Sequence, residues 1–227
     1  MVYYQKVART SWLVLCLIAG LLTFALLARP TLMDFPLSFG NAVYLLALII
    51  LFQFDNVRRG GIYYTFQEGI ILFIFLNYGL LPSILLSQIG IIIFQVFSHK
   101  KEIRLKRFLY LYPINVLFDL FYLACPSLVY LALGGPIGTG FTYSEAIIPF
   151  LGYLTAVMLV SYVQCRFVNR VLYLKYDWIR LVRLQTLVYG TSMLCAFLGI
   201  WFYDESPLIA ASVSALILLL FKRLLQQ

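Results

Sequence analysis

Glu68 and Asp119 are carboxylates set inside long apolar runs, and they are where chemistry is most concentrated in this chain. A charged side chain at the centre of a bilayer costs about 3 kcal/mol or more, so residues of this kind mark ligand, ion or proton sites. No Lys or Arg shares their runs. That leaves protonation, contact with water, or a cationic or amide-bearing ligand as ways to tolerate them. Asp119 belongs to a pattern. Tyr112, Asn115, Asp119 and Tyr122 follow at spacings that place them on one helical face, while Leu111, Val116, Leu117, Leu120 and Leu123 cover the rest. Gln88 and Gln95 also share a helical face, and Thr65 precedes Glu68 by one turn. These spacings predict a polar pocket inside a helix bundle, with Glu68, Gln88, Tyr112, Asn115, Asp119 and Tyr122 as its ligand-binding residues. The competing reading is interhelical hydrogen bonding, worth about 0.6 kcal/mol per bond on average. It is the stronger account of the two glutamines, whereas the cost of burial weighs towards a ligand or proton role for the two acids. Pro113 and Pro126 bracket the stripe, and each removes a backbone bond and can kink the helix.

Other chemistry is missing. The one histidine, His99, stands in a basic loop, so no imidazole-based metal site or catalytic dyad is expected. No phosphate-binding glycine loop, zinc-protease helix or nucleophile-elbow motif occurs. The acids do not cluster as a two-metal site requires. The four cysteines, Cys16, Cys125, Cys165 and Cys195, lie in apolar stretches without metal or redox spacing and read as small packing residues. The expectation is a protein that is not an enzyme, with no cofactor and no metal.

The elements that must position these residues are helices in lipid. Of 227 residues, 63% are hydrophobic and 11% are charged, and the mean hydropathy is +0.94; soluble domains carry roughly a quarter charged residues. Continuous runs such as 45–52, 70–76 and 89–94 lack the alternation of a membrane β-barrel. The predicted fold class is all-α, a polytopic transmembrane bundle of about eight helices. The candidate spans are 10–28, 39–54, 62–78, 80–98, 108–133, 145–169, 184–202 and 206–221. The apolar run 11–28 exceeds a typical signal-peptide core, so it is expected to remain as the first helix. With the N-terminus inside, all of the 17 Lys and Arg residues except Arg29 face the cytoplasm, while Asp34, Glu145, Asp204 and Glu205 take the other side. The net charge of +8 therefore reads as basic loops on a cytoplasmic leaflet, with no nucleic-acid partner. Both termini are expected in the cytoplasm, in a single integral membrane domain spanning 1–227. Charge parity leaves one choice open, since the segments around Asn77-Tyr78-Gly79 and around Asp204 could be re-entrant hairpins. Length favours full spans.

From Asp55 to Gly135 the order of features resembles the multi-helix membrane-associated sensor (MASE-type) domains that precede GGDEF or HD-GYP output domains in bacteria. The residues that carry it are Arg59-Gly60-Gly61, Tyr78-Gly79-Leu80-Leu81-Pro82, the basic loop His99 to Arg107, Tyr130-Leu131-Ala132-Leu133-Gly134-Gly135, and later Phe167-Val168-Asn169. The chain departs from the pattern at Phe108-Leu109-Tyr110, where Phe-Asn is expected, with Asn115 further on. The resemblance implies a sensory or regulatory domain of the inner (cytoplasmic) membrane. It would bind a small ligand or sense membrane state and signal in the cyclic-di-GMP system. Its partners would be the bilayer, a cytoplasmic output domain or partner protein, a small-molecule ligand and a second copy of the chain. The stretch Phe221-Lys222-Arg223-Leu224-Leu225-Gln226-Gln227 keeps a helical pattern, as a connector to such an output domain would; a charged anchor tail has the same composition. The alternative is a transporter or a substrate-binding subunit similar to the S-components of vitamin importers, although no inverted repeat is evident.

Overall fold

The computed structural model describes residues 37–54, 57–59, 62–64, 67–98, 121–138, 142–171, 178–200 and 206–226. Within them the fold is all-α apart from one small hairpin. Helix α1 (Phe39–Phe54) leads into strands β1 (Val57–Arg59) and β2 (Ile62–Tyr64); α2 (Gln67–Tyr78) and α3 (Leu80–Ser98) follow. Then come α4 (Phe121–Ala132), α5 (Tyr143–Val171), α6 (Trp178–Ile200) and α7 (Pro207–Gln226). The expected span 10–28 lies outside the described residues, as does the first half of 108–133.

Local signals explain most of the boundaries. Ser38 caps α1, its Oγ accepting from the Asn41 amide at 3.3 Å. Thr142 opens α5 and donates to the Glu145 carboxylate at 3.0 Å, the two polar members of a capping box. Pro207 begins α7, where its missing N–H costs nothing. At the end of α4 the Gly134 amide bonds the Leu131 carbonyl and the Gly135 amide reaches back to the Tyr130 carbonyl, both at 3.0 Å. Gly134 supplies the left-handed residue this closure needs, at φ 78°. Gly79, at φ 91°, likewise breaks α2 from α3 at a single residue.

One expected element is corrected. The third span was expected to be a single helix over 62–78, but among the described residues of that stretch only Gln67–Tyr78 is helical, and Ile62–Tyr64 pairs antiparallel with Val57–Arg59. The register pairs Arg59 with Ile62, and the intervening sequence Gly60-Gly61 has a composition favoured in two-residue hairpin turns. A β-branched and aromatic triplet beside such a turn favours pairing over helix. Helix α2 is thus 12 residues long, roughly 18 Å.

This short helix is the centre of the molecule. It is apolar all round, and every residue of it except Glu68 is buried. Helices α1, α3, α6 and α7 pack on it, and α4 meets it edge-to-face through Tyr130 on Phe75, centroids 5.7 Å apart. Cross-helix contacts fix the directions. Tyr143 of α5 donates to the Phe197 carbonyl of α6 at 3.0 Å, Tyr44 of α1 bonds Ser212 of α7 at 2.7 Å, and Gly69 of α2 abuts Leu218 of α7. It follows that β1 and β2 share one end of the bundle with the N-termini of α2 and α6 and the C-termini of α5 and α7. All basic positions among the described residues lie in elements at that end: Arg58 and Arg59, Arg166 and Arg170, Arg180 and Arg183, Lys222 and Arg223. Glu145 stands at the opposite end.

Gly40, in the exposed first turn of α1, shows the opposite of tight packing, because a Cβ there would meet nothing within 4 Å. Gly40→Ala is expected to raise stability by about 0.4–1 kcal/mol through the unfolded chain. Thermal unfolding of purified protein checks this, and it serves as a control for the crowded glycines below.

Candidate functional site

The first turn of α2 places Gln67 and Glu68 where α3, α4 and α6 converge. Between these helices lies a small, partly open cavity of about 20 Å³, lined by Gln67, Glu68, Ser87 and Tyr189 together with Ile71, Leu72 and Leu123. That is room for about one water-sized occupant. Ligand pockets for drug-sized molecules run to roughly 300–1,000 Å³.

Polar contacts lead away from the carboxylate. The Tyr189 hydroxyl donates to Glu68 Oε1 over a long 3.5 Å. The Tyr189 ring stacks on Tyr122, centroids 5.2 Å apart and planes 18° from parallel. Tyr122 in turn donates its hydroxyl to Gln185 Oε1, and Gln185 Nε2 reaches Gln164 of α5 at 3.5 Å. The chain thus links α2, α4, α6 and α5 across the interior, on the side of the bundle that carries the basic residues. Gln67 is 6% exposed, and its Oε1 has no hydrogen-bond partner.

The structure places the expected residues unevenly. Glu68 is at the cavity. Tyr122 is one layer behind it, against Tyr189. Gln88 is half-buried on α3 but is not part of the cavity wall, which its neighbour Ser87 joins instead; Gln88 Oε1 makes no hydrogen bond. Tyr112, Asn115 and Asp119 lie outside the described residues, as do Thr65 and Pro113. Pro126 is buried in α4, and among the described residues Cys125, Cys165 and Cys195 form no disulfide.

Gln67, Tyr189, Gln185 and Ser87 were not singled out from sequence. One signal was available. Gln185, Tyr189, Ser192, Ala196 and Gly199 follow at alternating spacings of four and three, a polar and small stripe on one face of α6. The structure turns part of that stripe to α2 and α4 and part to α7, where Ser214 Oγ donates to the Cys195 carbonyl at 3.2 Å.

Nothing in this arrangement supplies a nucleophile activated by a base. Among the described residues no group of three or more His, Cys, Asp or Glu could hold a metal ion. What it can do is hold one small polar or charged species against a carboxylate in otherwise apolar surroundings. Comparison with protein-family models, curated proteins and solved structures finds no match to this chain.

Proposed function

We propose that the chain is a membrane-embedded sensory or regulatory domain, a multi-pass bundle of about eight crossings in a cytoplasmic membrane, whose interior responds to a small ligand at Glu68. One observation carries this reading: a carboxylate borders a small, partly open cavity between the helices of a bundle whose outer flanks are apolar. Ile147, Ile148, Leu151, Leu159 and Val163 stand exposed along α5, the last being 61% accessible. Exposed apolar surface on this scale calls for a non-aqueous neighbour.

Among the described residues, Tyr143–Arg166 is the one segment both long and apolar enough to cross a bilayer; Phe39–Gln53, Leu80–Phe94 and Pro207–Leu220 are shorter apolar helices. Helix α2 falls short of the ~30 Å hydrocarbon thickness. Enclosed by its neighbours, it has no need to match that thickness, since irregular backbone at membrane depth is tolerated where protein covers it. The basic end would face the cytoplasm, and α7 would carry the response there. A substrate-binding subunit of an importer has less in its favour, because the cavity has no space for a vitamin-sized molecule.

Two measurements test the proposal. Compartment reporters fused after Gly135 and after Lys175 are expected on opposite sides of the membrane; the same side for both would end the topology. With a diguanylate cyclase domain joined after Gln227, Glu68→Gln is expected to change cyclic-di-GMP output by at least about fivefold at equal membrane abundance. Equal output from the variant and the parent would end the sensory reading.

A further inference from the structure

Two exposed arginines end one face of the α5–α6 pair. Along α5, Leu151, Met158, Tyr162 and Arg166 follow at spacings of seven, four and four; along α6, Arg183, Leu187, Leu194 and Leu198 follow at four, seven and four. Each set therefore occupies one face of its helix, and every one of these side chains is exposed. The helices run antiparallel, with Tyr143 bonded to the Phe197 carbonyl at one end and Gln164 accepting from Gln185 towards the other. Leu154 packed on Gly190 and Phe150 beside Phe197 set which flanks meet, and the two stripes come to lie side by side. Both arginines stand two residues, about 3 Å, beyond the glutamine contact. The surface is an apolar strip that ends in a pair of cations.

Charge and shape select the occupant. The described acids are Glu68, inside the bundle, and Glu145, at the opposite end, so neither arginine has a carboxylate partner among the described residues. Guanidinium forks match phosphate oxygens bidentately, and packed helices about 8–10 Å apart put two such forks within reach of one phosphate. Tyr162, one turn before Arg166, is an aromatic of the kind that interfacial depth favours. From Leu151 to Arg166 the strip measures about 22 Å, more than the roughly 15 Å of hydrocarbon that one leaflet supplies. A second copy of the chain suits this face poorly. A two-fold dimer in the membrane would bring the arginines of both copies to the same end, like charge against like. We infer that the α5–α6 face binds an anionic phospholipid, its phosphate held by Arg166 and Arg183 and its chains lying along the apolar strip. The inference rests on the membrane reading above and not on the sensory one.

The test melts the full chain, purified in detergent, with added phosphatidylglycerol, phosphatidylcholine of the same acyl chains, or inorganic phosphate. Phosphatidylglycerol at a hundredfold excess over its Kd is expected to raise the melting temperature by roughly 5–10 °C, about twice the rise from phosphatidylcholine or more, and free phosphate to give none. The Arg166→Gln, Arg183→Gln double variant is expected to lose the preference while its lipid-free melting temperature stays within about 2 °C of the parent. A Lys222→Gln, Arg223→Gln variant, neutralised at the same end of the bundle, is expected to keep it. Equal shifts from the two lipids would overturn the inference, as would a preference that survives without Arg166 and Arg183. So would its equal loss in the Lys222 and Arg223 variant, which would make the effect diffuse charge, or an equal rise from free phosphate. Reporters on opposite sides with no lipid preference would remove this site alone; reporters on the same side would end the membrane reading whatever the melts show.

Discussion

Tyr130→Ala is expected to destabilise the bundle by about 3–5 kcal/mol, the range for removing a large aromatic from a packed interior. Tyr130 is fully buried. Its ring meets Phe75 of the central helix edge-to-face, and its hydroxyl donates to the Pro136 carbonyl at 3.0 Å. One side chain thus fastens α2, the end of α4 and the loop beyond it. Gly135 lies flat against the same ring; a Cβ there would overlap it, with Cζ at 2.6 Å. The ring cannot yield as the tip of a flexible chain would, so Gly135→Ala is expected to share much of the defect. Tyr130→Phe should cost only about 1 kcal/mol, the worth of one hydrogen bond. Thermal unfolding in detergent of the three variants reads this order. A Tyr130→Ala protein as stable as Tyr130→Phe would show that the ring is not a structural anchor.

Gly199→Val is expected to be the most damaging change at a glycine within a helix. A Cβ at Gly199 would overlap Ser214 Oγ and stand 3.0 Å from the Ala210 carbonyl oxygen. The second contact is backbone, which no rotamer change can relieve. Helices α6 and α7 would have to separate, breaking the Ser214 bond to the Cys195 carbonyl. Overpacking of this kind typically costs about 1–3 kcal/mol, and the added branch of valine puts the expected loss at the upper end. Gly69→Ala differs in kind, since the Cβ would meet the side chain of Leu218, and a milder loss follows. The expected ranking in an unfolding assay is Gly40→Ala above wild type, then Gly69→Ala, then Gly199→Val. A Gly199→Val protein that melts with wild type would remove the close approach of α6 and α7.

The two predictions bear on function because the same helices carry the site. Helix α6 contributes Tyr189 to the Glu68 cavity and Gly199 to the α7 contact, on one continuous stripe. A disturbance at Gly199 should therefore reach the cavity, whereas one at Gly40 should not.

Much of this was legible in the amino-acid sequence. The limits of α1 and α3 follow from Ser38 and Gly79, because capping and a left-handed residue act within a few bonds. The apolar composition and the one-sided basic residues likewise depend only on residue order. The start of α2 was not legible: Ile62-Tyr63-Tyr64 is as apolar as a helix segment, and hydropathy carries no information on backbone hydrogen-bond partners. Nor was the burial of α2, a helix apolar on every side, which could equally have faced lipid.

The site divides in the same way. Sequence alone selected Glu68, since a carboxylate in an apolar run is costly wherever the run is placed. Only the tertiary structure decided that Tyr189, 121 residues away, would reach it, that Ser87 and not Gln88 would join the wall, and that the space left would be one water wide. Periodicity assigns a residue to a face of its own helix. Which face meets which is set by the order in which the helices pack, and that depends on close approaches such as Gly69 on Leu218 that no local pattern encodes.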